Sequence, residues 1–276
     1  MRRNLMDPIE SSQPDEHLPH LSVAEVAAAV REGRYGAEYQ PIVSVGTGEV
    51  LGFEALSRFH AEDGAPISPA VAFAALHRQP ALLFEIELEM KRFQLAHAPP
   101  APLHLNLDPD SFAAGWRLDG SNALLDLLAA PAPAPRVVEV IENVTVSDAV
   151  QGRALVAALR RRALCVALDD IGAPDTLLSL EALQAAAVWK LDRSWVARAS
   201  DPGQLRLLEA LVALAVRLDK RTVLEGVETA DHLRLAEALG VDAVQGFLHR
   251  ERFTSARARA APALPRLSGL DLSQEP

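Results

Sequence analysis

Two adjacent carboxylates, Asp169 and Asp170, close the apolar run Cys165-Val166-Ala167-Leu168, and Gly172 follows two residues later. Such a run reads as a strand buried on both faces. Side chains alternate along a strand, so the two aspartates start on opposite sides and can turn toward one point only where the strand ends. Like charges held that close repel and raise one pKa, unless a cation sits between them. In isolation the pair reads more simply as a solvated Asp-Asp-x-Gly turn, so its neighbours decide.

Those neighbours are polar residues in, or just after, other strand-like stretches: Glu54, Asn106, Glu139, Lys190, Glu225, Glu228 and Gln245. Buried acids need partners, and this set is mostly acids with one lysine. It asks for divalent cations. The donors are oxygens, with no Cys or His among them, which fits Mg²⁺ or Mn²⁺ better than Zn²⁺ or Cu²⁺. The carboxylates suffice for two ions with one carboxylate bridging, an arrangement that can clamp the attacking and leaving oxygens of a phosphodiester. The residues alone therefore point to a metal-dependent phosphodiesterase with a small anionic substrate. Plainer readings stand beside this one. Glu225 and Glu228 fall at a helix start, where acids favour the macrodipole. Arg58 could pair with Glu62 or Asp63, and Lys190 could only neutralise charge.

The elements that must position these groups follow in order. Ser22, with Glu25 three residues on, is a capping box opening a helix to about Glu32. Tyr35 to Val45 and Glu49 to Phe59 read as antiparallel strands joined at Gly46-Thr47-Gly48. Helical spacing covers Pro69–Arg78 and Leu82–His97. Beyond Pro99-Pro100-Ala101-Pro102 come the strand Leu103–Leu107, a helix at Asn122–Ala130, the strand Val137–Glu142 and a helix at Asp148–Arg162. After the Asp pair the pattern continues with a helix at Thr176–Ala187, the strand Val188–Leu191 and an amphipathic helix at Gln204–Lys220. The strand Thr222–Leu224, a helix at Ala230–Leu239 and the strand Ala243–Val244 complete it. Eight strands with intervening helices predict one α/β domain, a modified TIM-like (β/α)8 barrel whose first strand is antiparallel. In such a barrel the polar residues converge at one face. No Gly-rich phosphate fingerprint follows any strand, which disfavours a doubly wound sheet.

Composition sets the limits. The chain has 276 residues, 49% apolar and 23% charged, with net charge −10 and one cysteine. That charge argues against DNA, which needs clustered Lys and Arg. There is no membrane-length apolar run and no secretion core, and a lone cysteine in a strand excludes disulfides; the expected location is the cytoplasm. Residues 1–20, with Pro8, Pro14 and Pro19, read as a disordered leader, 21–255 as the barrel, and 256–276 as a peripheral tail.

The motifs in sequence order resemble the EAL domain family. They are Tyr39-Gln40-Pro41-Ile42-Val43, Gly52-Phe53-Glu54-Ala55-Leu56-Ser57-Arg58, Leu105-Asn106-Leu107 and Glu139-Val140-Ile141-Glu142. Asp169-Asp170-Ile171-Gly172, Lys190-Leu191-Asp192, Glu225-Gly226-Val227-Glu228 and Gln245-Gly246-Phe247 follow. The resemblance implies hydrolysis of cyclic di-GMP to linear pGpG with two Mg²⁺ or Mn²⁺ ions. It implies that Glu54, Asn106, Glu139 and Asp169 hold the first ion, and that Asp169 bridges to a second supported by Asp170 and Glu225. Lys190 would orient or activate the water, with Glu225 beside it in the catalytic set. Gln40, Leu56, Arg58 and Gln245 would face the substrate, Arg58 at a phosphate. Glu228 would act from nearby, and Glu142 would anchor the loop after strand five.

That loop departs from the family pattern. Asp-Asp-Phe-Gly-Thr-Gly-Tyr-Ser-Ser becomes Asp169-Asp170-Ile171-Gly172-Ala173-Pro174-Asp175-Thr176-Leu177. Pro174 fixes φ and removes an N–H where glycine is usual, and Asp175 adds negative charge. Asp108 also stands where serine is usual, and Glu251 where proline is. Intact ligands with an altered loop leave a second reading open: a weakly active or inactive domain serving as a cyclic di-GMP-binding effector or protein-interaction module. A homodimer and a signalling partner protein are compatible with either.

Overall fold

Local chemistry starts the first helix where the sequence places it. Ser22 caps Val23–Arg31, its hydroxyl accepting from the Glu25 N–H while the Glu25 carboxylate accepts from the Ser22 N–H at 2.8 Å. The computed structural model describes residues 21–141, 146–174 and 176–258. The expected leader, Glu142, Asp175 and the tail beyond Ala258 lie outside the described residues.

Eight strands close into a ring: β1 (Tyr35–Ser44), β2 (Val50–His60), β3 (Leu103–Asn106), β4 (Arg136–Ile141), β5 (Cys165–Ile171), β6 (Val188–Leu191), β7 (Arg221–Leu224) and β8 (Ala243–Val244). From β2 to β8 each strand pairs in parallel with the next. β1 closes the ring antiparallel to both β2 and β8. This is the α/β barrel expected from the sequence, including the reversed first strand. Parallel strands end together, so the residues after β2 to β8 meet on one face.

Alternation sorts each strand between two surroundings. Val138, Val140, Val166, Leu168, Trp189, Leu191 and Leu224 pack outward in the core shared with the helices. Ile42, Val137, Ala167, Val188, Val223 and Ala243, one from each of six strands, form a separate apolar cluster within the ring. One period of two further toward the open face, the same six strands carry, or lead directly into, Gln40, Glu139, Asp169, Lys190, Glu225 and Gln245. On β1 the step runs backward, from Ile42 to Gln40, because that strand is reversed. An apolar plug thus lies beneath a polar layer.

Five segments differ from expectation. The helix expected over Thr176–Ala187 is confined to Leu180–Ala185. The Thr176 hydroxyl donates to the Ala173 carbonyl at 3.0 Å, and Ser179 caps the helix by accepting from the Ala182 N–H; both hold the chain in turns that compete with a helix. A strand at Thr254–Arg257 (β9), crossing the boundary drawn at residue 255, pairs antiparallel with β1. Short helices also form at Pro109–Ala114 and Ser194–Ala197, with a 3-10 segment at Phe247–Arg252. Among the described residues, no helix is long and apolar enough to cross a membrane.

Candidate active site and metal centre

Lys190 is the hub of the polar layer. Its Nζ donates to Glu54 Oε2 at 3.2 Å and Glu139 Oε2 at 3.0 Å, and meets Asp169 Oδ1 at 2.9 Å and Glu225 Oε1 at 2.8 Å as ion pairs. Four strands besides its own supply these carboxylates or lead directly into them. Glu54 is held further: Asn106 Nδ2 donates to its Oε1 at 2.8 Å, and Gln245 Nε2 to its Oε2 at 2.6 Å. Register also places Gln40 opposite Glu54, and Asn106 opposite Glu139. Glu139 is completely buried, and His104 Nδ1 lies 2.8 Å from its Oε1.

Four acids around one ammonium cannot all ionise freely. Burial and the neighbouring carboxylates push Glu139 well above the usual carboxylate range, and burial raises Asp169. Burial, against the pull of Lys190, lifts Glu225 to about 8. Burial and the Asp169 charge raise Asp170 to about 6. Glu54 goes the other way: burial opposes ionisation, but Lys190 and the donors Gln245 and Asn106 bring it to about 2. Lys190 is held well above its normal value by the acids, despite its burial. Burial, then the Lys190 charge, lowers His104 to about 3.

The two aspartates do reach one point, by a break in regular strand geometry. The β5–β6 register shifts between Leu168 and Ile171, and Asp170 takes a left-handed φ of 57°. Aspartate tolerates that conformation better than most residues, and such positions concentrate at functional sites. The chain just beyond is clamped from the Ser194–Ala197 helix. Trp195 Nε1 donates to the Ile171 carbonyl at 2.7 Å, and Arg198 Nη2 to the Gly172 carbonyl at 2.9 Å. Gly172, at φ 81°, lies against the Trp195 ring so closely that a Cβ would sit 2.4 Å from it.

A cavity of about 420 Å³ opens over this layer, lined by ten of the residues singled out in the sequence: Gln40, Glu54, Leu56, Asn106, Asp169, Asp170, Lys190, Glu225, Glu228 and Gln245. Glu139 lies beneath it, buried. Arg58 is not part of the lining; its guanidinium pairs with Glu38 across the β1–β2 hairpin, and not with Glu62 or Asp63. A second cavity of about 740 Å³ shares Asp170, Arg193, Glu225, Gly226 and Glu228 with the first and extends to Ala173, Pro174 and His232. Phe247, named in the sequence only within the Gln245-Gly246-Phe247 motif, joins the cavity lining. Arg193 and His104 are the residues that sequence reasoning missed. His104 was within reach of it, because period two places it on the Asn106 face of β3.

The donor set fits divalent cations. Glu54, Glu139 and Asp169 each offer a carboxylate oxygen within 4.8 Å of the others, as do Asp169, Asp170 and Glu225, so Asp169 belongs to both groups. Buried Gln245 Oε1 receives no hydrogen bond, and Asp169 Oδ1 meets the Lys190 ammonium, which leaves acceptor capacity beside the cavity. All the donors are oxygens, as hard cations prefer.

Residues 23–251 match the EAL domain family model. The chain belongs to the EAL domain family. A cyclic di-GMP phosphodiesterase of Pseudomonas aeruginosa, RocR, is 27% identical over 235 residues, which is 82% of this chain and 59% of RocR. The cyclic di-GMP phosphodiesterase PdeL of Escherichia coli is 26% identical over 248 residues, or 85% of this chain and 67% of PdeL. This EAL domain spans from 28% to 59% of the length of three curated relatives it matches. Among solved structures, Klebsiella pneumoniae BlrP1 in a manganese/cy-diGMP complex superposes with TM-score 0.63 at 27% identity, covering 82% of this chain and 56% of that one. The MucR phosphodiesterase–c-di-GMP complex shares the fold, with TM-score 0.64 at 24% identity over 82% of this chain and 94% of that one.

Proposed function

We propose that this EAL domain hydrolyses cyclic di-GMP to linear pGpG with the help of two Mg²⁺ or Mn²⁺ ions. The supporting observation is Asp169, buried in the barrel mouth and common to two carboxylate groups beneath one cleft. Glu54, Asn106, Glu139 and Asp169 would hold one ion; Asp169, Asp170 and Glu225 the other. Bound there, the ions would supply a water-derived nucleophile at neutral pH and neutralise phosphate charge. The chain itself contributes the rest. Lys190 offers a buried ammonium paired with Glu54, Glu139, Asp169 and Glu225, able to pair with charge developing on a phosphate oxygen. Arg193, lining both cavities, is a cation placed to attract a phosphate, a part sequence reasoning gave to Arg58. Gln40, Leu56 and Gln245 line the floor where a nucleotide would lie, with exposed Phe247 beside them. Glu228, at the rim, donates its N–H to His232 Nδ1 and would act through neighbours. The expected site of action is the cytoplasm.

A second reading, favoured by Pro174, is a cyclic di-GMP-binding effector with little turnover. Pro174 lines the cavity wall next to Asp170 and offers no N–H. Incubating the protein with cyclic di-GMP and Mg²⁺ or Mn²⁺, with Glu54→Ala as control, separates the two. The first reading expects pGpG from the native protein and at least a ~10³-fold loss in the variant. Tight binding without pGpG at high protein concentration selects the effector, and no binding leaves a protein-interaction module.

A further inference from the structure

In six strands the interior residue one step below the polar layer is apolar, and these residues pack together. In β3 the equivalent residue, two before Asn106, is His104. It is buried, its backbone lies opposite Glu54, and its Nδ1 is 2.8 Å from Glu139 Oε1. The other oxygen of that carboxylate, Oε2, faces Lys190 at 3.0 Å. One carboxylate is therefore gripped from below and presented above. Its side chain has no freedom to turn while both contacts hold. Among the described residues, the carboxylate groups that could hold an ion in the cleft do not include His104, so its contact with the centre runs through Glu139.

We propose that His104 is a positioning residue: it fixes the rotation of Glu139 so that Oε2 faces the cleft as a preset metal ligand. This rests on the metal-dependent reading of the site above. Partners that orient a ligating side chain typically contribute 10- to 100-fold in metal affinity. Losing the histidine would also leave Glu139 Oε1 buried and unpaired, free to rotate toward Lys190.

Calorimetric titration of the metal-free protein with Mn²⁺ tests this directly. Asn at this position places its amide nitrogen near the place of Nδ1, whereas Gln reaches toward the place of Nε2. His104→Asn is expected to bind Mn²⁺ within a few-fold of the native protein, and His104→Gln and His104→Leu about 10- to 100-fold more weakly. Val137→Ala, in the apolar plug, should lower Tm without changing Mn²⁺ affinity. The inference is overturned if folded His104→Gln binds Mn²⁺ like the native protein, if Asn and Gln behave alike, or if the native protein binds no Mn²⁺. A parallel pGpG assay keeps the two claims apart. His104-dependent Mn²⁺ binding with no pGpG removes the phosphodiesterase reading only. Turnover together with His104-independent binding removes this one only.

Discussion

Two layers of the same barrel interior differ in nearly every property while sharing their strands. The lower one joins Ile42, Val137, Ala167, Val188, Val223 and Ala243 in an apolar plug. The upper one, a step of two residues away, carries Gln40, Glu139, Asp169, Lys190, Glu225 and Gln245 around one ammonium. The plug is stabilised by burial alone, at about 25 cal/mol per Å² of apolar surface removed from water. The upper layer holds charges that would be costly in isolation and persist through mutual pairing. The lower layer supplies stability so that the upper one can be strained.

Experiments that cross the boundary should have the largest effects. Val223→Asp, which puts an unpaired carboxylate into the plug, is expected to cost at least about 3 kcal/mol and to leave little folded protein, as read by circular dichroism. Asp169→Ala removes from the upper layer the carboxylate common to both proposed ion sites. It should leave the fold intact, cut pGpG formation at least ~10³-fold and remove the second Mn²⁺ equivalent in a titration.

The pH response should also separate the layers. Glu225 and Asp170, raised to about 8 and about 6 from ordinary values of 4.5 and 3.8, keep protons in the folded metal-free protein that the unfolded chain has released. Folded protein then binds more protons than unfolded, so stability falls as pH rises through this window. The Tm of the metal-free protein should decline from about pH 5 to about pH 8, and saturating Mn²⁺, which favours the ionised acids, should flatten the decline. An unchanged slope with Mn²⁺ would count against these acids as ligands. Smaller still, Arg198→Ala removes one of two clamps behind Asp170. A roughly tenfold loss of kcat/KM with Tm nearly unchanged is expected, because the Trp195 contact with Ile171 remains.

Much of this was legible from period and order. The apolar–x–polar step recurs at Val137 and Glu139, Ala167 and Asp169, Val188 and Lys190, and Val223 and Glu225, so strand alternation alone assigns the layers. What could not be read depends on side-chain reach or distant pairing. Arg58 turns to Glu38 because hairpin register sets those residues near each other, and no local pattern reports that. β9 pairs with a strand some two hundred residues earlier, and its composition resembles that of the chain after it. Arg193 and Arg198 flank a short helix whose importance lies in the carbonyls it touches. The start of the helix at Leu180 was set by Thr176 and Ser179, polar residues inside a stretch that otherwise favours helix.

Lys190 also has a consequence for how the molecule comes into being. Its ammonium already stands among Glu54, Glu139, Asp169 and Glu225. A chain with a built-in counter-ion has its buried acids paired without a metal, so folding would not have to wait for one. Any ion binding there would have to share acids with a resident cation, so its occupancy would be a graded response to the free divalent concentration around the protein.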